Sequence, residues 1–67
     1  MKIKDLHITD RNKQVTIIWE NNIWITQTIN LHTQSFENVL SEVTKECEVV
    51  RMNVTPHFIN IYIKEAS

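Results

Sequence analysis

Apolar and polar positions alternate along most of this chain, interrupted near the middle by one stretch of helical period. Residues 3–8 (Ile-Lys-Asp-Leu-His-Ile) read as a first strand, followed by the turn-forming run Thr9-Asp10-Arg11-Asn12-Lys13. Residues 14–20 and 23–31 carry the strongest strand pattern, with Asn21-Asn22 between them as a two-residue hairpin loop. Asparagine tolerates the positive φ that a type I′ turn requires. That loop sets a register. Trp19 faces Trp24, Ile17 faces Thr26 and Val15 faces Thr28 on one side, while Ile18 faces Ile25 and Glu20 faces Ile23 on the other, with Ile29 and Leu31 continuing that row. A cross-strand tryptophan pair supports such a register by about 0.5–1 kcal/mol beyond burial.

The period then becomes helical. Phe36, Val39, Leu40, Val43 and Cys47 form one apolar stripe, Ser35 is the expected N-cap, and Glu37 lies in the first turn where the dipole favours negative charge. The spacing predicts one helix of about three turns. The last third reads as a second hairpin, Val49–Val54 and Phe58–Lys64, reversing around Thr55-Pro56-His57. Its register pairs Val54 with Ile59, Met52 with Ile61 and Val50 with Ile63 on an apolar face. Asn53 with Asn60, Arg51 with Tyr62 and Val49 with Lys64 form the wetter reverse.

The predicted fold is therefore α+β: a small antiparallel sheet of four to five strands with one helix packed on one face, in the order β-β-β-α-β-β, as a single domain. Composition agrees. The chain has ten Ile, six Val and seven Thr in 67 residues, β-branched side chains that favour strands. At this size a core needs reinforcement from disulfides, metal, exceptional packing or oligomerisation. A disulfide within the chain is excluded, because Cys47 is the only cysteine. The lone thiol and the charged start Met1-Lys2-Ile3-Lys4-Asp5 point to a reducing, cytoplasmic setting, and no stretch is long and apolar enough to span a membrane. The abundance of Ile, Asn and Lys is what AT-rich coding produces, as in low-GC bacteria and their phages.

Candidate chemistry is sparse. With no glycine, neither a P-loop nor a dinucleotide fingerprint can form. His7, His32, His57 and Cys47 lack the close ligand pairs of structural zinc sites. Cys47 sits between Glu46 and Glu48, an electronegative setting that disfavours a nucleophilic thiolate. No carboxylate pair is placed for acid–base work, so no catalytic, cofactor or metal residue is expected.

One helix cannot cover both faces of a two-sided apolar hairpin. Val15, Ile17, Trp19 and Trp24, with Tyr62 at the margin, are thus the expected protein interface, most simply with a second copy of the chain. A curled first strand, with Leu6 and Ile8 over Trp19, would cover that face within the monomer. The alternative function is nucleic-acid binding through the basic first hairpin (Lys2, Lys4, Arg11 and Lys13), although Asp5 and Asp10 interleave with those cations and the net charge is −1. Glu37, Glu42, Glu46 and Glu48 make the helix acidic, which reads as a solvated face.

Overall fold

A computed structural model of the chain describes residues 1–65, with the side chains of residues 22–25 outside the described ones. It is a small α+β fold. A 3-10 turn, Ile3–Asp5, precedes strands β1 (Gln14–Trp19) and β2 (Asn22–Asn30). Two short helices follow, α1 (Phe36–Val39) and α2 (Glu42–Lys45), and then strands β3 (Glu48–Val54) and β4 (Phe58–Lys64). The four strands form one sheet in the order β2-β1-β4-β3.

The sheet is mixed, which corrects the all-antiparallel expectation. Both hairpins are antiparallel, but β1 and β4 meet in parallel at the centre, from Gln14↔Phe58 to Trp19↔Ile63. The apolar strands β1 and β4 occupy the middle, and β2 and β3 form the edges. Val15, Ile17, Ile59, Ile61 and Ile63 share the helix-side face and are buried.

Residues 3–8 do not form a strand. Asp5 draws the chain into a turn, because its carboxylate accepts from the Lys2 amide at 3.1 Å while its own amide donates to the Lys2 carbonyl at 3.0 Å. The turn drops Ile3 into the core, where it is completely buried. Leu6 and Ile8 then pack against the same core.

The first hairpin pairs one residue away from the expected register. Val15 faces Ile29, Ile17 faces Gln27 and Ile18 faces Thr26, with an irregularity between Ile18 and Trp19, after which Trp19 faces Asn22. Because side chains alternate with period two, a one-residue slip exchanges the faces of one strand relative to the other. Ile29 and Leu31 remain in the core, now beside Val15 and Ile17 rather than Ile18. The type I′ geometry is absent as well, since no described residue has positive φ.

The single helix is two. Leu40 and Ser41 are both extended, with ψ of 133° and 159°, and they separate α1 from α2. Ser41 is the cause, since its Oγ accepts from the Thr44 amide at 3.2 Å and donates to Thr44 Oγ1 at 3.0 Å, a cap that competes with continued helix. The break resets the helical phase. Phe36, Leu40 and Cys47 stay buried, but Thr44 replaces Val43, which is 67% exposed.

The second hairpin matches its expected register from Val54↔Ile59 to Arg51↔Tyr62. Proline suits the first central position of its turn. The Thr55 amide donates to the Phe58 carbonyl at 2.8 Å, and the Phe58 amide donates back to Thr55 Oγ1 at 2.9 Å. A bulge between Val49 and Arg51 then brings Val49, not Val50, opposite Ile63.

Candidate protein-binding surfaces

Three surfaces were candidates for function, and each is built from different elements. The first is the open sheet face, opposite the helices. It presents Gln14, Thr16 and Ile18 from β1, Thr26 and Thr28 from β2, the exposed Phe58 with Asn60 and Tyr62 from β4, and Arg51 and Asn53 from β3. This face is mostly polar. Its centre is a stack in which the Arg51 guanidinium lies 4.0 Å from the centroid of the Tyr62 ring, with Glu20 Oε2 3.9 Å from Arg51 Nε. Cation and ring thereby occupy each other.

The predicted interface residues are not brought together. Val15 and Ile17 are in the core, 0% and 1% exposed, because the hairpin register turns them under the helices. Trp19 is on the same side, half-buried and packed against that core. Tyr62 alone lies on the open face, and the side chain of Trp24 lies outside the described residues.

The second surface is the charged N-terminal end. Part of the expected basic patch, Lys2 and Lys4, meets part of the expected acidic face, Glu46, in one cluster. Lys2 Nζ and Lys4 Nζ both lie 2.9 Å from the Glu46 carboxylate, and the terminal ammonium lies 3.2 Å from Glu48 Oε2. Two cations hold the Glu46 carboxyl down at a pKa of about 2 through their hydrogen bonds, and the same contact raises Lys2. Lys13 is 3.9 Å from Asp10, and Lys45 is 3.4 Å from Glu42. Arg11 points into solvent beside a cleft of about 430 Å³ lined also by His7, Ile8, Leu31 and Phe36, with His7 3.5 Å from Glu37.

The third surface is the outer edge of β3. Met52 and Val54 point to the helix side but lie beyond the reach of the helices, and are 42% and 58% exposed. Phase follows from the turn. The Thr55–Phe58 bond makes that a hydrogen-bonded pair, so Asn53 and Arg51 face β4 with their backbone groups and Met52 and Val54 face outward. Part of this edge is already taken. The Val49 amide donates to the Met1 carbonyl at 2.8 Å and Lys2 bridges Glu48, so the N-terminal segment covers the start of β3. The described exposed positions on the opposite edge, Thr26, Gln27 and Thr28 of β2, are polar.

Among the described residues, no three His, Cys, Asp or Glu side chains converge where a metal ion could be held, and no helix is long and apolar enough to cross a membrane. Burial, with a smaller contribution from Glu65, raises the pKa of Cys47, whose thiol donates to the Val43 carbonyl at 3.3 Å. Compared with family models, with curated proteins and with solved structures, the chain finds no match in any of the three, so its surfaces alone carry the functional reading.

Proposed function

We propose that this protein is a non-enzymatic binding module that acts by protein–protein contact, and that its docking surface is the outer edge of β3. The observation that carries the reading is the coincidence of two kinds of unmet demand on the same residues. Met52 and Val54 expose apolar side chains and also turn their backbone N–H and C=O groups away from the sheet. A strand laid along this edge would satisfy both at once, with main-chain bonds for affinity and alternate side chains for selectivity. The buried single cysteine fits a reducing, cytoplasmic setting.

The nucleic-acid alternative through Lys2, Lys4, Arg11 and Lys13 has less support. Three of these four cations have carboxylate neighbours within the chain, and Arg51 covers the Tyr62 ring on the open face. The test of the edge is a titration with a synthetic peptide of sequence Val-Arg-Met-Asn-Val-Thr, followed by amide chemical shifts. Shifts concentrated on residues 51–55, and lost in the M52K/V54K double variant, are expected. Shifts confined to the open face or to the N-terminal cluster would overturn the reading.

A further inference from the structure

We infer that the strand which occupies this edge is β3 of a second copy, running antiparallel about a two-fold axis at Asn53. The inference rests on the edge reading above and gives it a partner and a register.

The accessible length of the edge limits the choice. At one end Met1 occupies Val49, and the bulge between Val49 and Arg51 interrupts the ladder. At the other end the chain turns away at Pro56, which has no amide hydrogen to donate. The usable slot is therefore residues 51–55. A second copy brings a strand of the same length with the same two boundaries, so neither protomer projects chain into the other's obstruction.

Hydrogen-bond phase then selects the axis. A symmetric antiparallel pair must match outward-facing residues with outward-facing residues, and these are Met52 and Val54. An axis at Met52 would set Val54 against the partner's Val50, inside the bulge. An axis at Val54 would set Met52 against the partner's Pro56, which cannot donate. Only an axis at Asn53 keeps the ladder regular, with Met52 facing the partner's Val54 and Val54 facing the partner's Met52.

Side-chain chemistry agrees with this register. On the helix side it brings the exposed Met52 and Val54 of the two copies together. On the open side the two Asn53 amides face each other across a close, non-hydrogen-bonded pair and can bond reciprocally. Arg51 faces the partner's Thr55. The two Arg51 positions lie four residues apart along the strand direction, roughly 13 Å at the usual rise per residue, which is beyond a Debye length at physiological salt. Each Arg51 also keeps Glu20 and Tyr62 of its own chain. The product is a continuous eight-stranded sheet with the helices of both copies on one side.

Such a contact is small, below the roughly 1,200 Å² of standard interfaces, and therefore weak. Sedimentation or light scattering over roughly 10–1,000 µM should show a monomer–dimer equilibrium, a range suited to so small a contact. The M52K/V54K variant should remain monomeric throughout with an unchanged far-UV spectrum. Under mild oxidation N53C should give a covalent dimer linked at position 53 of both copies, because the close pair spaces Cα atoms by about 4.5 Å, within disulfide reach. T16C, on the open face of β1, should stay monomeric under the same treatment. A strict monomer at 1 mM, or a dimer that survives M52K/V54K and does not link through N53C, overturns the inference. Peptide shifts on residues 51–55 alongside a strict monomer would leave the edge reading standing and remove only the second copy. Absence of both would remove the two together.

Discussion

The Lys2 ammonium lies 2.9 Å from the Glu46 carboxylate, and this contact joins the first residues of the chain to the end of α2. Glu46 is held at a pKa of about 2, below its ordinary 4.5. A depressed carboxyl contributes stability that is fully present above the unfolded value and is lost as pH falls through the folded one. Stability should thus decline from about pH 4.5 toward pH 2, and E46Q should flatten that part of the profile in thermal melts. Because both partners are exposed, ~0.5 M salt should weaken the effect in wild type and leave E46Q largely unmoved.

Ile17 and Ile18 are neighbours in sequence with opposite fates. Ile17 is 1% exposed under the helices, whereas Ile18 lies half-buried on the open face. Urea titration should show I17A destabilised by about 2–5 kcal/mol, enough to unfold much of a domain this small. I18A should cost about 1 kcal/mol or less. Equal losses would mean that the register of the first hairpin is not the one described.

The break between the helices depends on Ser41. S41A removes the acceptor for the Thr44 amide and the donor to Thr44 Oγ1, and should cost about 0.5–2 kcal/mol in chemical denaturation. S41G should cost only a few tenths, since glycine is a tolerated cap. V43K, at a position that a continuous helix would bury, should change stability by about 0.5 kcal/mol or less.

Cys47 is buried and its thiol pKa is raised, so at pH 8 it should react with a disulfide reagent roughly tenfold or more slowly than in urea-unfolded chain. Equal rates in the two states would place the thiol at the surface.

Legibility differed from element to element for physical reasons. The β3–β4 hairpin could be read because Thr55-Pro56-His57 restricts the turn to few geometries, and a turn fixes a register. The β1–β2 hairpin could not, because Glu20-Asn21-Asn22 allows several reversals and both strands are apolar on alternate residues in either register. The apolar stripe from Phe36 to Cys47 signalled helical burial, yet periodicity is blind to a serine that caps from inside the run. Residues 3–8 carry strand-forming isoleucines, but Asp5 folds back on the Lys2 amide, a local bond that a hydropathy pattern does not register. Among the described residues of the expected interface, Tyr62 lies on the open face, whereas Val15, Ile17 and Trp19 lie on the helix side because the first hairpin adopts another register. The edge of β3 was hidden for another reason. Its exposure depends on where the helices stop and on Met1 reaching Val49, neither of which is local to the strand.

The parallel seam between β1 and β4 has a kinetic consequence. Each pair across it, from Gln14↔Phe58 to Trp19↔Ile63, joins residues 44 positions apart, and no short loop can bring them together. Each hairpin taken alone has its apolar central strand unpaired on one side, so neither can persist as a stable half. Folding should therefore be a single slow cooperative event for so short a chain. Until the seam closes, β1 and β4 are both adhesive, and the time spent in that condition sets the exposure of the newly made chain to aggregation.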